Sequence, residues 1–297
     1  MEIVKSIILG IVQGLTEFLP VSSTGHLVII PFIFKWNYIP LYYIVSLHFA
    51  TLLSLVAVFY RDIWKIIKAF FIGLVIKSKR DERYFKLSIF IIIASIPAAL
   101  AGFLLNDFIE SFFSRLLFIG VFLIVTAIIL VSGEMIGKRA EEKFYGSDNK
   151  EAEIIDKQGI FKYLKFRGLN LVTALIIGIG QAVAILPGIS RSGITISFAR
   201  AFGIKREESV RFSMLLSIPV IFGAFIFEIL KSYSSIFENG FKIAGNVAVS
   251  FLCSFLSGFF AIKFLLTISR KRNLNFFALY CMVIGVIIII LTLISKL

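Results

Sequence analysis

The chain has 297 residues, of which 59% are hydrophobic and only 16% charged, with a mean hydropathy of +0.96. That balance excludes a soluble globular domain and predicts an integral membrane protein. A net charge of +13 does not predict nucleic acid as a partner, because Lys and Arg fall in loops between apolar runs and form no single stripe.

About 20 apolar residues cross a bilayer as helix. The first segment, 3–35, is apolar, then polar around Pro20 to His26, then apolar again. Each arm is too short to cross alone, which predicts a re-entrant helical hairpin with its tip at membrane depth. Gln13 and Glu17 interrupt its apolar lead-in and no small-residue cleavage site follows, so the segment reads as mature protein and not as a signal peptide. Runs at 42–60, 85–105 and 115–136 predict three spans. Arg61 and Asp62 are read as an interfacial pair at the end of the first, and Asp107 and Glu110 as a short external loop. A Lys- and Glu-rich linker follows over 137–168. A second hairpin is predicted over 170–199, and three more spans over 208–230, 242–267 and 275–295. Cys253 and Cys281 lie inside apolar runs without CxxC spacing and read as packing residues.

The two polar interruptions repeat each other. Residues 10–27, GIVQGLTEFLPVSSTGHL, and 178–195, GIGQAVAILPGISRSGIT, align without a gap at an offset of 168. Gly10 pairs with Gly178, Ile11 with Ile179, Gln13 with Gln181, Ser22 with Ser190 and Gly25 with Gly193. The chain therefore reads as an all-α integral membrane protein: one transmembrane domain of six transmembrane helices plus two re-entrant hairpins. Repeat 1 covers 1–136 and repeat 2 covers 169–297. Each half has one hairpin and three spans, and three is odd, so the halves are expected as inverted-topology repeats whose tips converge. In that layout the loops 61–84, 134–168, 200–211 and 268–274 share one side and hold 22 of the 31 Lys and Arg. The positive-inside rule makes that side cytoplasmic and puts both termini outside.

In the first tip Gln13 and Glu17 are four residues apart and share a helix face. Pro20 ends that helix, and Ser22, Ser23, Thr24, Gly25 and His26 follow. A carboxylate, a hydroxyl run and an imidazole supply the parts for metal binding, nucleophilic attack and proton transfer. A capped hairpin with Glu17 paired to a neighbouring helix would use the same residues. The second tip, Pro187 to Thr195, reads as an oxyanion cradle. Gly188 and Gly193 allow close backbone approach, Ser190, Ser192 and Thr195 offer hydroxyls, and Arg191 offers a fork for phosphate oxygens. A structural Arg191–Glu17 pair is the alternative. His48 either faces the same cavity or is a satisfied helix histidine. GISRSG misses the G-x-S-x-G elbow, no G-x-x-x-x-G-K-[ST] occurs, and two histidines make a His-rich zinc site unsuitable.

At these residues the chain resembles the undecaprenyl-diphosphate phosphatase family of the bacitracin-resistance type. The resemblance rests on the Gln13 to His26 stretch QGLTEFLPVSSTGH, on Leu47-His48, on Ser95-Ile96-Pro97 and on Pro187 to Thr195, PGISRSGIT, in an order that matches the family from end to end. It implies hydrolysis of undecaprenyl diphosphate to the monophosphate, which recycles the lipid carrier of peptidoglycan synthesis and confers bacitracin resistance. It further implies a divalent cation, magnesium or calcium, a polyprenyl diphosphate substrate, a bacterial plasma membrane, and a homodimer as an allowed assembly. Residue by residue, the resemblance makes Glu17 a catalytic and metal-binding carboxylate, with Gln13 in the first position of a Glu/Gln-x-x-x-Glu motif. Ser23 matches the nucleophile, His26 its acid/base partner and Arg191 the phosphate binder, with Ser22, Thr24, Gly188, Ser190, Ser192, Gly193 and Thr195 around the phosphates. Position 50 is Ala where members often carry Gly. Type-2 phosphatidic acid phosphatases also have a Ser-Gly-His element, but they need a histidine after Ser-Arg that this chain lacks. A polyprenyl-phosphate flippase is the rival expectation, since inverted repeats with broken helices are also transporter architecture.

Overall fold

The computed structural model describes residues 2–36, 39–80, 82–105, 108, 111–112, 115–145, 168–231 and 233–294. Asp107, Glu110 and residues 146–167 of the expected linker lie outside the described residues. Besides a short 3-10 turn at Lys77–Lys79, ten α-helices and no strand are assigned among the described residues. They are α1 Glu2–Phe18, α2 Ser23–Ile33, α3 Leu41–Val75, α4 Arg83–Leu104, α5 Leu116–Tyr145, α6 Leu171–Val183, α7 Arg191–Ala201, α8 Arg206–Lys231, α9 Tyr233–Lys271 and α10 Asn275–Ile294. Six of them, α3, α4, α5, α8, α9 and α10, are long and apolar enough to cross a membrane, and they coincide with the six expected runs. The four short helices form two pairs, α1 with α2 and α6 with α7, and each pair is joined by a short turn that contains a proline and ends on a serine. At 17 residues α1 reaches about 25 Å, and the 11-residue α2 less than that.

Several helices outrun their apolar stretches, because hydropathy marks a crossing and not a helix end. α3 continues to Val75 past a kink at Phe59, where φ is −106° and ψ is 15°. Arg61 and Asp62 therefore sit inside a helix and not at its end. Asp62 is buried, while Arg61 lies exposed with its Nε donating to Tyr60 Oη at 2.7 Å.

Packing follows the repeat. α1 lies against α9, and α6 lies against α4; α3 also packs on α9, and α8 on α4. The last helices of the two halves, α5 and α10, pack on each other. Small residues set these close approaches. A Cβ on Gly178 would lie 2.5 Å from the Ala94 carbonyl oxygen, and one on Gly10 would collide with the Ser250 carbonyl oxygen. Between α5 and α10 each glycine faces the other's backbone: a Cβ on Gly120 would lie 2.9 Å from Gly285 O, and one on Gly285 2.7 Å from Gly120 O.

The turns carry matching caps. Ser22 caps α2 by accepting from Gly25 N at 3.3 Å, and Ser190 caps α7 by accepting from Gly193 N at 3.0 Å. At its other end α7 is pinned by ions. Buried Arg200 donates to Glu141 at 2.6 Å and stands 3.5 Å from Glu134, which also receives both forks of Arg206 at 2.8 Å and the Leu274 amide at 3.2 Å. A charge removed from water persists when it is paired and hydrogen-bonded in this way. Through that network α5, α7, α8 and the start of α10 hold one another in register.

Gly10→Val and Gly178→Val should each lower thermal stability in detergent by about 1–3 kcal/mol, the usual cost of overpacking a close contact. Gly223→Val, where a Cβ would meet nothing within 4 Å, should leave the melting temperature unchanged. Equal melting of all three variants would contradict the helix approaches described above.

Candidate active site

Glu17 lies in the last turn of α1, buried, with 6% of its surface exposed. Four other residues converge on its carboxylate. Arg191 Nη2, from the first turn of α7, donates to Oε1 at 2.7 Å. Ser23 Oγ, from the first turn of α2, donates to Oε2 at 2.6 Å, and Gln13 Nε2 donates to the same oxygen at 2.9 Å. His48 of α3 places Nε2 at 3.4 Å from Oε2. The structure thus joins Gln13, Glu17, Ser23, His48 and Arg191 in one cluster drawn from both tips. Ser23 and Arg191 occupy equivalent places in the two repeats, each opening the second helix of its pair, and each reaches a different oxygen of one carboxylate.

The surrounding hydroxyls hold the two turns together. Ser22 has a left-handed backbone, with φ of 69°, which is uncommon for a residue with a Cβ. Its Oγ accepts from Gly25 N within its own turn and from Gly188 N at 3.2 Å in the other. Thr24 Oγ1 lies 3.4 Å from Ser22 Oγ. Gly188 takes φ of 103°, and a Cβ there would press on Ile119 O at 2.7 Å. Ser192 Oγ donates to Leu19 O at 3.2 Å and lies 3.2 Å from Ser190 Oγ. Thr195 donates to Arg191 O at 2.8 Å and meets Ser213 Oγ at 2.6 Å. Gly193 needs its bare Cα less sharply, with Ser190 Cβ 3.1 Å from the place of a Cβ.

His26 is placed apart from Ser23. Its Nδ1 donates to Ser22 O at 2.7 Å, and its Nε2 meets Tyr280 Oη of α10 at 2.8 Å. The proton acceptor on Ser23 in this structure is Glu17. Sequence reasoning also missed Thr126 of α5, which donates to Gly188 O at 3.1 Å and accepts from Ser190 N at 3.0 Å. Its one signal was a buried hydroxyl in an apolar run. Tyr280 gave none, because a tyrosine in a span reads as an interfacial anchor.

No group of three or more His, Cys, Asp or Glu side chains suited to a metal occurs among the described residues. The oxygen donors are the Glu17 carboxylate and Gln13 Oε1, which is buried without a hydrogen-bond partner, with His48 Nε2 3.4 Å from the carboxylate. This small, hard donor set fits magnesium or calcium, which complete their shells with water and substrate phosphate oxygens. Gln181 Oε1, at the equivalent place in the second repeat, is likewise buried and unpartnered, but Ile185 stands where the first repeat has Glu17.

The family model described as bacitracin resistance protein BacA matches residues 6–287. A protein of Korarchaeum cryptofilum named undecaprenyl-diphosphatase is 38% identical over 97% of this chain and 99% of its own. One of the same name from Halothermothrix orenii is 38% identical over 98% of each chain, and one from Methanococcus vannielii is 37% identical over 96% of this chain and 98% of its own. The chain therefore belongs to the bacitracin resistance protein BacA family.

Proposed function

We propose that this membrane protein is a phosphatase that hydrolyses undecaprenyl diphosphate to undecaprenyl phosphate and inorganic phosphate, the step that returns a lipid carrier to peptidoglycan synthesis and resists bacitracin. The observation that carries the chemistry is the buried Glu17 carboxylate shared by a hydroxyl at 2.6 Å and a guanidinium at 2.7 Å. A diphosphate is a stronger anion than one carboxylate and competes for the Arg191 fork. When Arg191 turns to the terminal phosphate, it frees Glu17 Oε1, while Oε2 still accepts from the Ser23 hydroxyl and can take its proton. Ser23 Oγ, or a water held in its place, then attacks the terminal phosphorus. The phosphorus–oxygen bond to the lipid phosphate breaks, and undecaprenyl phosphate leaves with the bonding electrons. On the covalent route, water later releases phosphate from Ser23. The amides at the start of α7 face the charge that develops on the transferred group, and Ser190, Ser192 and Gly193 keep that turn fixed. Glu17 and Gln13 Oε1 would hold a divalent cation, which supplies charge neutralisation on the phosphates.

The topology belongs to the same proposal. The two short pairs, α1–α2 and α6–α7, are re-entrant hairpins, and the halves are inverted repeats. Support comes from the exchanged packing, α1 on α9 as α6 on α4, and from equivalent caps at Ser22 and Ser190. The plasma membrane holds the chain with the cation-rich loops in the cytoplasm and both ends outside, so the tip bearing Glu17 and Ser23 enters from the outer face.

Purified protein should release phosphate from undecaprenyl diphosphate, and chelation of divalent cations should abolish the release. Ser23→Ala and Arg191→Ala should each reduce kcat/KM by about 10²–10⁴-fold; full activity in either would remove that residue from the mechanism. Rapid quench with substrate labelled in the terminal phosphate should leave label on Ser23, and normal turnover without label would favour direct attack by water. In a background lacking Cys253 and Cys281, Lys35→Cys should react with an impermeant maleimide on intact cells, and Arg139→Cys only after the membrane is opened. The reverse pattern would invert the topology.

A further inference from the structure

We infer that Tyr280 is a positioning residue for His26, orienting the imidazole through the only hydrogen bond to its second nitrogen among the described residues. The catalytic part of this inference rests on the phosphatase reading above, with His26 as the acid/base group that the family resemblance implies; its structural part does not.

A carbonyl oxygen can only accept a hydrogen bond. His26 Nδ1 lies 2.7 Å from Ser22 O, so Nδ1 carries the hydrogen. The neutral ring then has its lone pair on Nε2, which faces Tyr280 Oη at 2.8 Å. A phenol both donates and accepts. It donates to Nε2 while the ring is neutral, and after the ring takes a proton there it accepts in turn, by rotation of one O–H bond. The contact therefore survives both states of the imidazole without movement of heavy atoms. The two rings lie nearly parallel, 11° apart with centroids 5.6 Å from each other, so the phenol orients the imidazole plane while Ser22 O sets its tautomer.

The contact is also anchored at both ends. Ser22, whose carbonyl sets the tautomer, is clasped to Gly25 and Gly188 through its hydroxyl. On α10 the neighbouring Cys281 Sγ lies 3.5 Å from Pro20 O, toward which it donates, so two successive residues of one helix grip the first tip. α10 is in turn locked on α5 at Gly120 and Gly285. Tyr280 cannot drift from His26 unless that interface opens.

The test uses the full chain in lipid nanodiscs and Tyr280→Phe, which keeps the ring and removes only the hydroxyl. In wild type, ¹⁵N spectra of the imidazole should show one protonated and one bare nitrogen, assigned by their loss in His26→Ala; in Tyr280→Phe the Nε2 signal should shift. With undecaprenyl diphosphate, kcat should fall roughly fivefold to tenfold, the loss expected for one neutral hydrogen bond, while KM stays within about twofold. In a His26→Ala background the same substitution should cause no further loss, because Tyr280 acts through His26. An unchanged ring spectrum, an unchanged kcat, or an equal loss in the His26→Ala background overturns the inference. If wild type releases no phosphate, the phosphatase reading falls, and the ring spectra still decide whether Tyr280 sets the state of His26.

Discussion

A carboxylate buried among apolar helices is the constraint from which the site follows. An ionised group in that setting persists only with opposite charge and hydrogen bonds on every side. Glu17 obtains them from α1, α2, α3 and α7 at once. Those helices belong to both halves of the chain, so the ionised state of one side chain requires the whole tertiary arrangement. The resting pair between Glu17 and Arg191 thus answers a question the sequence left open. It is a structural pair, and in the proposed reaction the same guanidinium is won by a ligand with more negative charge.

The internal repeat divides into two kinds of position. Most positions that are identical in both copies serve the scaffold: Gly10 and Gly178 at helix contacts, Ser22 and Ser190 as caps, Gly25 and Gly193 as the amides those caps receive. The positions that differ carry the groups of the proposed chemistry. Ser23 stands where the second copy has Arg191, Glu17 where it has Ile185, and His26 where it has Ile194. A backbone frame that presents a helix start to a shared carboxylate was kept twice, and its first side chain was specialised as a hydroxyl on one side and a cation on the other.

The spans were legible in the sequence because crossing a membrane needs a fixed length of apolar chain, and the site was legible because polar residues at that depth are costly enough to stand out. Glu17, Ser23 and Arg191 meet as their types suggested. What the sequence did not reveal depends on helix rotation and on partners far along the chain. Ser22 reads as one more hydroxyl for phosphate, yet its oxygen is taken by two backbone amides. His26 reads as the partner of Ser23 three residues before it, yet it faces a tyrosine 254 residues away. Nothing in an apolar run tells which of its faces will meet a given turn, and so Thr126 and Tyr280 were hidden among residues whose evident task is to be lipid-soluble.

Those two residues point to a division of labour between the helices. The reactive groups ride on short helices whose turns contain Pro, Gly and Ser, and such turns are poor at fixing geometry by themselves. Precision of about half an ångström has to come from rigid elements behind them. α5 and α10 supply it as one unit, interlocked at Gly120 and Gly285. From that unit Thr126 grips the Gly188–Ser190 turn, while Tyr280 and Cys281 grip His26 and Pro20. The last helix of each half therefore holds the broken pair of the opposite half: α5 sets the turn before α7, and α10 sets the turn before α2. An exchange of this kind makes neither half able to build its tip alone, which explains why a site assembled from two short hairpins needs the complete double repeat around it.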